Sequence, residues 1–252
     1  IYDDKEKRVT GVLVMDAKTK QVTEYFSRII FLNASTIPSA ALLLQSKSAR
    51  FPDGLGNDSK QAGRNLMDHF TGSGAYADHA GMEDKYYYGR KPAGIYIPRF
   101  RNISEATHRS DYVRGWGFQG SGARKNWELQ GAELKGFGRD YKDQLLKPGP
   151  WTLWLGGWGE TLPYFQNGIS LDDLKKDQWG IPLVHINFQY GENEKNMRKD
   201  IRQTAVDMLE KAGFHDIREF DYDQPAGSAV HEMGTLRMGR DPKTAVLNGF
   251  RS

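Results

Sequence analysis

The stretch that most constrains the fold is RIIFLNASTIPSAALLLQS, residues 28–46. Its first half is a continuous apolar run ending in small residues, the pattern of a strand buried on both faces of a layered sheet. Pro38 then falls in the first turn of a predicted helix that runs through Leu44. A helix entered through small residues can present its N-terminus to a dinucleotide phosphate, but the same joint also occurs as plain core structure. Both interpretations stay open at this point.

The remaining pattern mixes strands and helices. Residues 8–34 read as a hairpin with its turn at Ala17–Lys20, and residues 70–160 read as short strands with a small helical lobe. GIPLVHINFQY is a predicted strand, with Val184 to Tyr190 alternating between two faces. The clearest helix covers residues 194–212 and ends at Gly213, with a solvated charged face. Its apolar stripe is formed by Met197, Ile201, Ala205, Met208 and Ala212.

Composition excludes several classes of function. The net charge is +3 with both signs interspersed, so no basic stripe points to nucleic acid. No apolar run approaches the ~20 residues that a membrane-spanning helix needs. The absence of cysteine excludes disulfides and thiolate chemistry.

His231 opens the most pointed motif, HEMGTLRMGRDPKT. A zinc site of the H-E-x-x-H type fails because Thr235 replaces the second histidine, and Gly234 disfavours a helix. A serine hydrolase fails because the sequence has no G-x-S-x-G. Two interpretations remain: a structural loop histidine, or a base for an alcohol held beside a flat cofactor. The other motif histidine, His69, follows Asp68 directly, so their side chains point apart and do not predict a dyad.

A segment rich in tryptophan and glycine, GPWTLWLGGWGETLPYFQN, offers a candidate binding surface. Aromatic rings between glycines can line a cleft that stacks on the apolar face of a sugar ring. The same rings can simply fill a sheet core. The candidate substrate contacts are Trp154, Trp158, Tyr164, Gln166 and Asn167.

Two ordered stretches resemble the glucose–methanol–choline (GMC) family of flavoprotein oxidoreductases. The first, NASTIPSAALLLQSKSARFPDGLGNDSKQAGRNLMDH, is similar to the family's second signature region. The second, HEMGTLRMGRDPKTAVLN, is similar to its C-terminal segment. They lie ~160 residues apart, in the order and rough spacing of that fold.

The resemblance implies an α/β plus α+β fold: part of a split Rossmann-like FAD-binding domain with an antiparallel-sheet substrate domain. Residues 1–74 would belong to the FAD domain. Residues 75–228 would form the substrate domain, with the 184–190 strand in its sheet. Residues 229–252 would return to the flavin.

The resemblance also implies site roles. His231 would assist removal of the hydroxyl proton while hydride leaves for FAD. Two segments would lie close to FAD: Ala34, Ser35 and Thr36, and then Asn65, Leu66, Met67, Asp68 and His69. The substrate would be a sugar or polyol, as in bacterial gluconate, glucoside or pyranose dehydrogenases and oxidases. Such enzymes can work with an accessory subunit and a cytochrome, in the periplasm or in the cytoplasm. The alternative from another class is a non-catalytic, β-rich carbohydrate-binding module.

The family's N-terminal G-x-G-x-x-G unit and its second catalytic residue are not in the sequence, so we expect an internal piece of a longer protein. The 252 residues alone should therefore be colourless, partly aggregated and inactive, because the strand ending at Ala34 would lack a sheet neighbour. A longer chain extended at both ends should be yellow and active. The measurement is the visible absorbance of both purified proteins, and a stoichiometric flavin spectrum from the 252-residue chain would contradict this expectation.

Overall fold

The computed structural model describes residues 1–82, 94–125, 127–147, 149–222 and 225–249. The chain divides into two compact units. Unit 1 comprises the described residues within Ile1–Met67, Pro163–Phe188 and Glu232–Ser252. Unit 2 comprises those within Asp68–Leu162 and Gln189–His231.

Unit 1 is built from short antiparallel pairs, one four-stranded sheet and one helix. Its elements are β1 (Tyr2–Asp3), β2 (Arg8–Val9), β3 (Gly11–Met15), β4 (Val22–Phe26), α1 (Thr36–Gln45), β5 (Arg64–Met67), β10 (Gly168–Lys176), β11 (Pro182–Asn187) and β13 (Met233–Thr235). The sheet has the order β11-β10-β5-β13, and β3 pairs with β4 as a separate hairpin. Helix α1, predicted from the sequence, packs with the sheet through a core that contains Ala40, Ala41, Leu66 and Ile169.

The predicted strand at residues 28–34 is wrong. These residues have no regular secondary structure, although the hairpin predicted before them is present as β3 and β4. Ile29 is 68% exposed and Phe31 is 79% exposed. A strand needs a hydrogen-bonded neighbour, and no described strand pairs with this run. Apolar composition alone therefore did not produce a buried strand here.

Unit 2 contains a five-stranded antiparallel sheet with the order β12-β6-β9-β8-β7. Its strands are β6 (His69–His79), β7 (Gly94–Ile97), β8 (Trp116–Arg124), β9 (Trp151–Glu160) and β12 (Arg218–Asp221). Its helices are α2 (Trp127–Glu133), α3 (Gly138–Leu145) and α4 (Glu192–Lys211), with one 3₁₀ turn at Glu105–Thr107. The predicted short strands and helical lobe are thus present.

Helix α4 covers one face of this sheet and confirms the first three members of the predicted apolar stripe, Met197, Ile201 and Ala205, which are fully buried. The last two are corrected: Met208 is only half-buried and Ala212 is exposed, while Leu209 takes the buried position. Gly213 follows the helix with φ +85°, as predicted. The four buried residues pack in one core with Phe70, Ala75, Ala77, Trp116, Phe118 and Leu155. The charged face of this helix was predicted to be solvated, and the structure corrects that prediction at two positions, Glu194 and Asp200, which are buried.

Two carboxylates of α4 are buried and satisfied by specific partners. Glu194 accepts hydrogen bonds from the backbone N–H groups of Leu162 and Gly191 at 3.0 and 2.8 Å. Asp200 pairs with Arg101 at 2.9 Å and accepts the Tyr112 hydroxyl at 2.6 Å. Buried carboxylates are tolerated because such partners replace lost water.

The predicted strand at residues 184–190 is shorter than expected and lies in the other sheet. It is β11, which ends at Asn187 and pairs with β10 in the four-stranded sheet of unit 1. Phe188 belongs to unit 1, whereas Tyr190 packs in the core of unit 2. The alternating pattern identified a strand but carried no information about its partner.

None of the helices in the described part of the chain is long and apolar enough to cross a membrane.

The packing of α4 on the sheet predicts the effect of a single methyl group. In Gly157→Ala, the added Cβ would lie 2.5 Å from Ile201 Cγ2. This distance is too short for two carbon atoms, so the substitution would overpack the core. Overpacking costs about 1–3 kcal/mol, so the urea midpoint of the complete protein, followed by tryptophan fluorescence, should fall. Gly122→Ala is the matched control, since its nearest neighbour is Leu153 Cδ1 at 3.7 Å. Equal midpoints for the two variants would contradict this packing.

Candidate active site

Two histidines meet in unit 2, where β6 begins and the segment 225–231 ends. The rings of His69 and His231 lie edge to face, with centroids 5.2 Å apart and an interplanar angle of 69°. Within the described residues, the His231 imidazole makes this contact and no hydrogen bond. Its ring nitrogens are therefore available to a ligand.

Asp68 fixes the backbone around both histidines. This buried carboxylate accepts N–H groups from His69 at 2.7 Å, Ala229 at 3.0 Å and His231 at 2.9 Å. Burial, and then the negative charge of Asp68, raises the pKa of Tyr190 above its ordinary value.

A polar pocket of about 270 Å³ opens beside the two histidines. Arg99 and Glu160 form an ion pair in its wall, with Nη1 and Oε1 3.0 Å apart. The pocket thus brings together imidazole, guanidinium, carboxylate and indole groups. Its lining is His69, Tyr96, Arg99, Gly115, Trp116, Gly117, Gln119, Trp158, Glu160 and His231.

A second pocket, of about 300 Å³, is apolar and shares Trp158 with the first. Phe220 and Tyr222 are stacked in its wall, with ring centroids 5.2 Å apart. Gly156 leaves room for the ring of Trp154, because a Cβ at position 156 would lie 2.7 Å from Cζ3 of that ring. The lining comprises Thr71, Gly72, Tyr76, Trp154, Gly156, Trp158, Phe220 and Tyr222.

The predicted cofactor segment 34–36 lies at the start of α1 in unit 1. Ser35 is the N-cap residue and has φ +74°, while its side chain makes no capping hydrogen bond. Thr36 Oγ1 donates to the Glu232 carbonyl at 2.7 Å, and Thr235 Oγ1 donates to the Thr36 carbonyl at 3.0 Å. Two motif segments almost 200 residues apart in the chain are therefore in contact within this unit.

The predicted segment 65–69 is divided between the units. Asn65, Leu66 and Met67 lie in β5, which pairs with β13, and the backbone N–H of Leu66 donates to the Asn167 carbonyl at 3.0 Å. The remaining two members, Asp68 and His69, belong to the histidine site of unit 2. Of the predicted substrate residues, Trp158 lines both pockets and Trp154 lines the apolar one.

The other predicted substrate residues lie in unit 1. Asn167 is buried, Tyr164 is half-buried, and Gln166 is exposed with its carbonyl accepting from the Asn187 amide at 2.8 Å. Their roles stay predictions.

Sequence reasoning missed Arg99, Glu160 and the anchoring role of Asp68. Arg99 follows β7 and Glu160 ends β9, and only the order of the sheet brings them together. The adjacency of Asp68 and His69 was interpreted as evidence against cooperation, yet the carboxylate acts through backbone N–H groups. Nothing in the order of the residues Asn65–His69 indicates these hydrogen bonds between Asp68 and backbone N–H groups.

No group of three or more histidine, aspartate or glutamate side chains in the described ranges is arranged to hold a metal ion.

One protein-family model matches part of the chain. The C-terminal family model described as GMC oxidoreductase matches residues 163–251. That range contains the whole HEMGTLRMGRDPKT motif with His231. The match confirms the resemblance inferred from the sequence.

Curated relatives that the chain matches at low identity are named as dehydrogenases and oxidases. The chain is 26% identical to 2-methyl-1,2-propanediol dehydrogenase of Mycolicibacterium austroafricanum, covering 97% of this chain and 44% of the relative. It is 23% identical to the fructose dehydrogenase large subunit of Gluconobacter japonicus, covering 97% and 43%. It is 25% identical to 6'''-hydroxyparomomycin C oxidase of Streptomyces lividus, covering 99% and 42%. The chain thus spans less than half the length of these relatives.

Proposed function

We propose that this chain, whose C-terminal third matches the GMC oxidoreductases, forms part of an enzyme that oxidises a sugar or polyol hydroxyl, with His231 as the base. The observation that carries the proposal is the pair of imidazoles at a polar pocket that borders an aromatic one. The relatives named as dehydrogenases and oxidases of a diol, a sugar and an aminoglycoside support the same class of substrate.

The roles of the residues follow from their chemistry. A neutral imidazole at His231 takes the hydroxyl proton, and its ring nitrogens have no competing hydrogen bond within the described residues. FAD, when bound, would supply the acceptor for the hydride that leaves the carbon bearing this hydroxyl. Arg99 and Glu160 orient further hydroxyls of the substrate, and Trp158 stacks on the apolar face of its ring.

The described residues fit part of a flavin nucleotide. Ala34 and Ser35 are small and lead into α1, so backbone can approach a flat or anionic group closely and the helix N-terminus favours negative charge. We assign Ala34–Thr36 and Asn65–His69 to the cofactor side. The spacing G-x-G-x-x-G occurs once, at Gly115–Gly120, but it runs along strand β8 and does not open a helix, so we assign no ADP group to it.

The domain roles inferred from the sequence are part of this proposal. Residues 1–74 contribute to a split Rossmann-like FAD domain, 75–228 to the substrate domain, and 229–252 to the return segment. The compact units differ from these ranges for residues 163–188, which belong to unit 1, and for residues 68–74 and 229–231, which belong to unit 2. An accessory subunit and a cytochrome are candidate partners, since one relative is named a large subunit.

The alternative function is a carbohydrate-binding module without chemistry. The aromatic pocket alone would serve such a module, but the free imidazole of His231 would have no role in it. The visible spectrum of the complete protein separates the two functions. Bound flavin supports the enzyme, and a colourless protein with sugar affinity supports the module.

The first test replaces the proposed base. In the complete protein, His231→Ala should lower turnover by roughly 10²–10⁴-fold, the usual contribution of a general base. Flavin should stay bound, because the imidazole does not hold the ADP group. The assay uses 2-methyl-1,2-propanediol, D-fructose and D-glucose with ferricyanide as acceptor, and His215→Ala is the exposed-histidine control. Normal turnover of His231→Ala would contradict the proposed role, and combined loss of flavin and activity would make His231 structural.

The second test concerns the aromatic substrate contacts. Alanine at Trp154 or Trp158 should raise KM more than it lowers kcat, because stacking stabilises the ground state and the transition state alike. Corresponding variants of Tyr164, Gln166 and Asn167 test the contacts predicted in unit 1. KM values within error of the unmodified protein for all five variants would place the substrate elsewhere.

A further inference from the structure

We propose that Asp68 is a positioning residue, which holds the backbone on both sides of the histidine pair so that His231 is fixed while its ring stays free. The inference rests on the proposed role of His231. Asp68 itself touches backbone groups and does not line the polar pocket.

The first observation is the set of groups that Asp68 ties together. Oδ1 accepts the N–H groups of His69 and His231, and Oδ2 accepts that of Ala229. Ala229 and His231 are more than 160 residues away in the chain, so this carboxylate joins two distant segments. Hydrogen bonds to a buried carboxylate are charge-assisted and are among the stronger ones in proteins.

The second observation is that Asp68 is itself held rigidly. Its backbone N–H donates to Thr161 Oγ1 at 3.1 Å, and Thr161 Oγ1 donates to the Asp68 carbonyl at 2.6 Å. Thr161 directly follows β9, so the anchor is fastened to the central strand of the sheet. A carboxylate fastened in this way can transmit the rigidity of the sheet to a loop.

The third observation is strain in the segment that Asp68 holds. Val230 has φ +56°, a left-handed conformation that is unfavourable for a β-branched residue. Its side chain is 75% exposed, so packing does not explain the conformation. The hydrogen bonds to Ala229 and His231 flank Val230 on both sides, and they provide the constraint that such strain requires.

Asp68→Asn tests the anchor first without reference to activity. An asparagine of the same shape lacks the charge and offers one acceptor oxygen in place of two. In the complete protein, amide hydrogen exchange of the peptide spanning residues 226–233 should become about tenfold faster. Glu194→Gln is the matched control, because Glu194 is equally buried and accepts backbone N–H groups with both oxygens. It should leave exchange in this peptide unchanged, and unchanged exchange in Asp68→Asn would overturn the inference.

A double-mutant cycle then tests whether Asp68 acts through His231. Asp68→Asn should lower kcat by on the order of 10²-fold with little change in KM, the usual effect of a small misplacement of a catalytic group. In a His231→Ala background, the same substitution should lower kcat less than about twofold. The assay uses the same three alcohols and ferricyanide. Equal losses in both backgrounds would show general destabilisation and would overturn the inference.

The two readouts separate this inference from the proposed function. Faster exchange in Asp68→Asn together with full activity of His231→Ala would show that Asp68 holds the backbone. The same pair of results would overturn both the proposed base and the positioning role of Asp68 in catalysis. If Asp68→Asn does not fold, both measurements are made in a Val230→Gly background. Glycine relieves the left-handed strain and removes only an exposed side chain, so the fold should tolerate loss of the anchor there.

Discussion

Unit 2 depends on the burial of the apolar stripe of α4 against one face of its five-stranded sheet. The strands present small residues and glycine where the helix approaches, so that Ile201 packs directly against the backbone at Gly157. With that face covered, alternation places Tyr76, Trp154 and Trp158 on the opposite face. The packing of α4 on one face of the sheet therefore stabilises the unit, and it leaves on the opposite face the side chains that line the apolar pocket.

In the proposed site, the atoms that would fix the position of His231 differ from the atoms that would react. Metal-ligating and catalytic histidines are commonly oriented through a hydrogen bond to the ring. Here the fixed points are backbone N–H groups bound to Asp68, and the His231 ring meets only the edge of His69 within the described residues. Both ring nitrogens consequently stay available for proton exchange.

The sequence predicted the features that are local in the chain. Helix α4 was predicted by its stripe and by Gly213, and α1 by Pro38 and the apolar turn behind it. His231 was found because its neighbours form a recognisable motif. Residues 28–34 were predicted wrongly because hydrophobicity does not supply the neighbouring strand that a sheet requires.

Features set by strand order could not be read from the sequence. Arg99 and Glu160 are about 60 residues apart, and their ion pair depends on β8 lying between β7 and β9. The buried charges of α4 were hidden for a related reason, since Asp200 is stabilised by Arg101 and Tyr112 from a segment about 90 residues earlier. A charged residue on an amphipathic helix is normally solvated, and only its distant partners show that it is not.

The adjacency of a polar and an apolar pocket has a chemical consequence for the proposed substrate. A sugar ring carries hydroxyls at its rim and C–H groups on its faces, so it needs both kinds of surface within a few ångströms. Trp158 borders both pockets, which lets one indole face the ring while Arg99, Glu160 and His231 reach its hydroxyls. A purely apolar alcohol would leave that ion pair without new partners, whereas a polyol replaces the water it loses. Under the proposed function, these two surfaces would suit a substrate with several hydroxyls better than a simple alcohol.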